Sequence, residues 1–347
     1  MSELIEGLPE AVALRCLAWV PFHLYPMLEL VSRSWRAAIR STDLFRYRKE
    51  LGLAEELLCV SAFEPENIWQ LYDPVGDQWM TLPLLPSKIR QLSNFGTVST
   101  AQKLFVLGGR SDAVDPVTGE RDGCFATNEV WMYDPVVRQW AKCAPMIVPR
   151  SMFACCALEG KIIVAGGFTS SSKSTSKAEI YDPDTDTWAP VPDLNHAHNS
   201  PCNGVLYKGK MHVLHKGLST MQVLISDHSG LEWVVVNDCW LQGPAAFLND
   251  EFYMMCHEYI FKQDADKWKQ IAPVAEFRRR VGFSMVGLRG EIYIIGGVIG
   301  PGHQVGSIQP LSDVDVLTIG NDEPTWRKAS PMTKSCGTII GCAVLNL

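Results

Sequence analysis

The chain has 347 residues, of which 47% are apolar, 20% charged and 10% aromatic, and its net charge is −7. That length supports one large core or two smaller ones, and the composition excludes wholesale disorder, collagen-like repeats and coiled coils. The acidic balance gives no general attraction to nucleic acid or to an anionic membrane, so neither is expected as a partner. Eleven cysteines include no CxxC pair, and most sit in apolar runs, such as Cys155 and Cys156 or Cys342. They read as small buried hydrophobes of a reducing compartment rather than a disulfide framework. The first ten residues are acidic where a signal peptide would be basic. The longest apolar stretches are strand-sized, too short to span a bilayer. The expected location is therefore the cytoplasm, the nucleus or both.

Residues 1–50 have a helical pattern. Val12 with Cys16, Leu14 with Leu17, and Leu28 with Val31 and Trp35 recur at helical intervals. Pro9 suits a first turn and Glu10 a helix N-terminus. Pro21 and Pro26 interrupt the run, which predicts short helices near 9–20, 26–31 and 33–40. This head carries six acids and seven bases, a net +1, leaving −8 on the rest. Fifty residues make a poor independent core, and their apolar surface has two readings: a face covered by another chain, or a cap packed on the larger domain.

Leu8-Pro9, Leu14, Leu17, Val20-Pro21, Leu28, Val31-Ser32 and Trp35-Arg36 resemble an F-box. That resemblance implies docking on the Skp adaptor of SCF (cullin–RING) ubiquitin ligases, with Leu8, Pro9, Leu14, Leu17, Val20, Leu28, Val31, Ser32 and Trp35 as adaptor-binding residues.

From residue 57 the chain repeats. Six tryptophans stand at Trp79, Trp140, Trp188, Trp233, Trp268 and Trp326. Seven residues before them lie Tyr72, Tyr133, Tyr181, Ser226, Phe261 and Ile319, and three units read Tyr-Asp-Pro, four further residues and Trp, the first being Tyr72-Asp73-Pro74. A second landmark is an apolar strand ending in a glycine pair, at Gly108-Gly109, Gly166-Gly167 and Gly296-Gly297; two related units carry His215-Lys216 and Cys256-His257 there instead. Sixteen residues before the first position of each pair stand Leu92, Arg150, Asn199, Trp240 and Arg280. Each unit therefore reads as four short antiparallel strands, with glycine allowing close backbone approach, Asp-Pro making a turn and Trp filling the space between neighbouring units.

Units of this kind form a β-propeller, and these resemble the kelch repeat over about residues 57–347. The expected fold is mainly β: a six-bladed kelch-type β-propeller over 51–347, preceded by a small all-α F-box domain over 1–50. The first unit lacks an opening strand, and the apolar tail 336–347 would supply it.

Three segments between glycine pair and next strand, Ser111–Thr127, Thr169–Lys177 and Ile299–Pro310, fall on one rim with the unit-opening positions. Arg110, Arg150 and Arg280, with His198 and His303, are the candidate substrate-binding residues. The arginines either converge on an acidic substrate segment or pair with carboxylates of their own blades. The basic run Arg278-Arg279-Arg280 reads as a solvated loop. His196 and His198 do not close a metal site by themselves, and His215 and His257 read as space-fillers where glycines were lost. No nucleophile, zinc or phosphate-loop motif is present, and the glutamate–aspartate–histidine iron pattern of plant specifier proteins is missing, so no cofactor, metal or catalytic residue is expected. The resemblance extends to plant F-box/kelch members and implies a non-catalytic substrate receptor of an SCF ligase, joined through the adaptor to a cullin–RING ligase and binding a protein substrate. The alternative is a non-degradative kelch scaffold that binds cytoskeleton or a metabolic enzyme, or, less favoured, a kelch-fold enzyme.

Overall fold

A computed structural model describes residues 4–114, 125–170, 173–227, 230–237, 243–264, 267–274, 277, 279–300, 308–320 and 323–347. The head begins with α1, Glu10–Ala18, whose first turn follows Pro9. After a short 3-10 turn at Phe22–Leu24 come α2, Tyr25–Leu28, and α3, Arg33–Ile39. Pro26 does not interrupt a helix but lies in the first turn of α2, where its missing N–H is harmless. Ser32 caps α3 by accepting the Trp35 N–H at 3.0 Å. A further helix, α4, Thr42–Glu50, was not expected; its signal is the cap Ser41, which accepts the Leu44 N–H at 3.2 Å.

Six four-stranded antiparallel sheets follow. Blade 2 shows the plan: Gly96–Thr100, Lys103–Leu107, Val130–Asp134 and Gln139–Lys142, paired in that order. Blades 3 to 6 repeat it over residues 154–191, 202–237, 245–273 and 284–329. Blade 1 is assembled from both ends of the body. Cys336–Asn346 is its first strand and pairs antiparallel with Glu56–Glu64, from Glu56 opposite Asn346 to Glu64 opposite Cys336. Blade 6 then packs on blade 1 through Tyr293, Ile295 and Val316 against Leu58, Val60 and Tyr72.

The outer tryptophans join blade to blade. The Trp140 indole N–H donates to Pro83 O at 2.8 Å, Trp188 to Ala144 O at 2.9 Å and Trp233 to Pro192 O at 2.8 Å, each acceptor lying just beyond the preceding blade's outer strand. Trp79 of blade 1 makes the same bond to Ser330 O, beyond blade 6, at 2.8 Å, so the ring closes with the contact that builds it.

Counting back from the tryptophans misplaces the third strand in later units. Tyr72, Tyr133 and Tyr181 do stand opposite Trp79, Trp140 and Trp188. In blades 4 and 6, Leu224 and Leu317 occupy that position opposite Trp233 and Trp326, and in blade 5 Gln263 faces Trp268. The final hairpins differ in length there, so Ser226, Phe261 and Ile319 are not the equivalents of the tyrosines.

The head rests on the end of the sheets that carries the turns between third and fourth strands. Its core residues Leu17, Phe22, Tyr25 and Phe45 continue into Leu57, Leu71, Tyr133 and Leu345 of the propeller. Arg48, 2% exposed, donates to Ala18 O, Val20 O and Leu53 O at 2.9, 2.7 and 3.0 Å and pairs with Glu55 at 2.9 Å. It thereby satisfies carbonyls at and beyond the C-terminal ends of α1 and α4, which lack helical partners. His23 meets Asp73 of blade 1 at 2.9 Å. Buried Glu29 is gripped by Arg40, the residue that follows α3, and by Arg138 from the turn of blade 2. Burial pushes the Glu29 carboxyl up, yet the hydrogen bonds from the two arginines outweigh it and hold it below the usual range.

Arg138 stands where blades 1 and 3 place an aspartate. Asp77 and Asp186 each accept their own blade's tyrosine hydroxyl, at 2.6 and 2.7 Å, and a backbone N–H of the preceding blade, Ser330 or Ala144, both at 2.8 Å. With arginine at this position the Tyr133 hydroxyl is buried without a hydrogen-bond partner.

Two outcomes follow. Deletion of 336–347 exposes the unpaired edge of Glu56–Glu64 and is expected to give aggregation, or a lower melting temperature, in differential scanning fluorimetry with light scattering. Arg138→Asp restores a partner to Tyr133 but sets a second carboxylate beside Glu29. Hydrogen exchange should then rise across α2 and α3 while the blade 2 strands stay protected.

Candidate functional site

At the opposite end of the sheets lie the connections between second and third strands. In blades 2, 3 and 6 each begins at the glycine pair. Gly166 and Gly167 have φ of 68° and 86°, and a Cβ on Gly167 would lie 2.6 Å from Ser151 O. This left-handed step turns the chain out of the sheet. The departing segment then pairs with residues ahead of the blade's first strand: Arg110–Ser111 with Leu92–Ser93, Phe168 with Ser151, and Val298–Ile299 with Arg280–Val281. Three short ribbons thus stand on the rim.

Arg150 and Arg280 anchor the bases of two of these connections. Arg150 is fully buried and donates to Gly166 O at 2.9 Å, Lys177 O at 2.8 Å and Glu179 at 2.5 Å. Glu179 also accepts the Ile147 and Val148 N–H groups at 2.7 and 2.9 Å. Arg280 repeats the arrangement with Gly296 O, Asp313 O and Asp315 at 2.5, 3.0 and 2.5 Å. Each arginine therefore ties together the two ends of one rim connection and a carboxylate of its own blade. Burial lowers the Arg150 pKa, against the opposing pull of Glu179.

Of the two readings of the rim arginines, Arg150 and Arg280 follow the second, each paired with a carboxylate of its own blade. Arg150 and Arg280 are spent inside their blades, and a substrate carboxylate has no access to them. Arg110 is half-buried, lies 3.5 Å from Asp112, and lines a separate hollow with Ile89, Phe125 and Pro149. Arg279 of the basic run donates to Gly300 O at 3.3 Å. His303, Arg278 and Trp240 lie outside the described residues. His198 is half-buried on the rim, its ring 4.4 Å from that of His215 in an edge contact.

Blades 4 and 5 lack the glycine pair, and their connections shrink to 216–219 and 257–258, the latter turning at His257 with φ 54°. His215 is not mere filler. Its ring is buried and lies 3.1 Å from the Gln222 amide, whose nitrogen also donates to His196 O at 3.0 Å. This trio stands where blades 3 and 6 have arginine and carboxylate. Burial pushes His215 down to about 4, so its ring is neutral at pH 7.

Over these low blades lies a cavity of about 870 Å³, lined by Asn203, His215 and Lys216 of blade 4, Pro244 and Met254 of blade 5, and Phe283 ahead of blade 6, among others. It opens into a channel of about 460 Å³ between the first strands, which shares Asn203, Leu214, Met254 and Phe283. Among the described residues neither lining holds a carboxylate, and Lys216 is the one ammonium. Sequence reasoning missed Lys216 and Asn203, although the replacement of a glycine pair by His-Lys was the available signal.

On the head the implied adaptor residues separate into two groups. Leu8, Pro9 and Leu14 line a groove of about 700 Å³ between α1 and α3, and Val31 is exposed. Leu17 is buried at 2% exposure, Val20, Leu28 and Trp35 pack against the head core, and Ser32 is the α3 cap. The Trp35 indole N–H donates to Leu4 O at 2.7 Å. Three exposed side chains were missed: Trp19, Met27 and Leu30, at 67%, 65% and 78% exposure.

A helical head fixed to one end of a six-bladed propeller, with a loop rim and cavity at the other, defines a two-module propeller protein. Residues 5–47 match the F-box domain, and 91–147, 149–195 and 279–333 match the Kelch motif. The three Kelch matches coincide with blades 2, 3 and 6, which keep the glycine pair. The chain is 60% identical to the Arabidopsis thaliana F-box/kelch-repeat protein SKIP30 over 100% of its own length and 98% of that protein's. It is 30% identical to the Arabidopsis F-box/kelch-repeat protein At1g16250 over 99% and 97% of the two chains. Among solved structures, YjhT matches with a TM-score of 0.56 at 14% identity, covering 75% of this chain and 91% of that one, a likeness of fold. This chain belongs to the F-box/kelch-repeat proteins.

Arg150→Ala leaves Glu179 buried and unpaired and is expected to cost about 3 kcal/mol in urea unfolding. Lys216→Ala, on an exposed side chain, should stay within about 0.5 kcal/mol of the parent.

Proposed function

We propose that this protein is the substrate-recognition subunit of an SCF ubiquitin ligase, with the F-box head docked on the Skp adaptor and the propeller rim holding the protein to be ubiquitinated. One observation carries the reading: the head occupies the end of the sheets opposite the variable connections, so both surfaces can be engaged together. The name of the SKIP30 relative and the F-box match support the adaptor half. The subunit itself makes and breaks no bonds. Holding a substrate beside a ubiquitin-loaded enzyme raises the effective concentration of its lysines, and the adaptor links the complex to the cullin–RING ligase, in the cytoplasm or nucleus.

The adaptor surface in this reading combines the groove residues Leu8, Pro9 and Leu14 with Val31 and the exposed Trp19 and Leu30, while Leu17, Val20, Leu28, Ser32 and Trp35 hold the helices in place. Co-purification with the adaptor and cullin is expected, and its absence would favour the scaffold alternative. Trp19→Ala combined with Leu30→Ala should weaken adaptor binding by about 2 kcal/mol in calorimetric titration without changing the melting temperature. Leu17→Ala should instead destabilise the head by about 3 kcal/mol, as for a buried leucine. Unchanged adaptor affinity in the folded double variant would remove this surface from the interface.

A further inference from the structure

Blades 4 and 5 differ from the others in ways that converge on one place. Their rim connections are short, so no ribbon stands above them among the described residues. The first strands of blades 3 and 4, and of blades 5 and 6, lie in close contact, whereas those of blades 4 and 5 are not among the closely packed pairs. Blades 4 and 5 pack instead through Val205 and Val223 against Phe252 and Met254. The cavity sits at the mouth of the central channel, its lining running from Asn94 and Met152 ahead of blades 2 and 3 round to Phe283 and Ser284 at blade 6. It opens over a low side of the rim and continues inward along the apolar wall of Leu214, Met254 and Phe283.

Charge at this mouth runs against that of the molecule. The chain carries −7 overall, yet no carboxylate lines either the cavity or the channel among the described residues. Lys216 holds the position of a second glycine in the repeat. Its backbone N–H is tied to Pro201 O at 2.8 Å, while its side chain is exposed and makes no ion pair with a described residue. The neighbouring histidines add no charge at pH 7: burial holds His215 down, and burial with the adjacent His196 holds His198 down. Arg150 and Arg280, which would have strengthened the positive potential, are neutralised within blades 3 and 6.

We propose that this cavity is the substrate-docking surface and that it takes an acidic peptide segment entering over blades 4 and 5, with one carboxylate at Lys216 and an adjacent apolar side chain in the channel. The proposal rests on the receptor reading above and adds the class of segment recognised. A carboxylate fits better than a phosphate. Among the described residues the lining offers one ammonium and no guanidinium fork, whereas a phosphoserine brings close to two negative charges and seeks arginine. An apolar residue next to the acid supplies the buried area that one exposed ion pair does not provide.

The test uses the full chain bound to its adaptor and a synthetic array of short randomised peptides, in which every glutamate-bearing sequence has glutamine, lysine and phosphoserine counterparts. Acidic sequences with an aromatic or aliphatic neighbour should bind best, with the glutamine counterparts weaker by about fivefold. Lys216→Ala should abolish that preference, and Asn203→Asp, which sets a carboxylate in the lining with almost no change of shape, should reverse it toward lysine. Both variants should keep wild-type adaptor binding and melting temperature. Preference for glutamine, lysine or phosphoserine sequences, or an acidic preference that survives both variants, overturns the proposal. Those results with adaptor binding intact leave the receptor reading standing, whereas a wild-type protein that fails to bind adaptor removes the receptor reading itself.

Discussion

The pairing of Cys336–Asn346 with Glu56–Glu64 is the contact on which the architecture depends. A propeller blade buries its faces only against two neighbours, so an open ring leaves apolar faces and strand edges exposed at the break. Building one blade from both ends of the body converts that break into an ordinary antiparallel ladder. The tryptophan bond from each of blades 2, 3 and 4 to the blade before it then recurs from blade 1 to blade 6. The seam carries the same contacts as the bodies of the sheets.

Departures from the repeat mark the places where the protein does something other than close a ring. In blades 1 and 3 an aspartate serves the tyrosine and the preceding blade. Blade 2 puts Arg138 at that position, leaves the Tyr133 hydroxyl unpaired, and uses the arginine to hold Glu29 of the head. On the other end, blades 3 and 6 keep the arginine with the glycine pair, and blade 4 replaces both, substituting the His215–Gln222 contact and releasing Lys216 to the surface. One change joins the two modules, and the other opens the rim.

Much of this was legible in the sequence because the repeat is written in residues with strict geometric roles. Glycine pairs at positive φ and tryptophans at the outer strands fix where hairpins begin and end, so the six-unit count and the helical head could be read directly. What failed was register. Insertions in the last hairpins of blades 4 and 6 moved the residue facing tryptophan to Leu224 and Leu317, and no side-chain type there announces the shift. The site was read less well for a physical reason. A rim arginine in a sequence looks the same whether it faces solvent or ties its own backbone, and only burial separates the two. Leu17 and Trp19 show the same limit on the head: both are apolar residues of the α1 region, yet the first lies in the core and the second is exposed.

The composite blade also fixes an order of events during synthesis. The head and the strand at Glu56–Glu64 leave the ribosome before blades 2 to 6, whereas the strand that completes their blade leaves after them. Leu345 belongs to the same packed cluster as Phe22, Tyr25 and Phe45. The platform beneath the head is therefore finished only when almost the whole chain is available, after contacts of very long sequence separation have formed. A nascent or prematurely ended chain displays an F-box without the seat that orients it, so translation to the final strand sets when the two ends of the molecule first acquire a fixed relation.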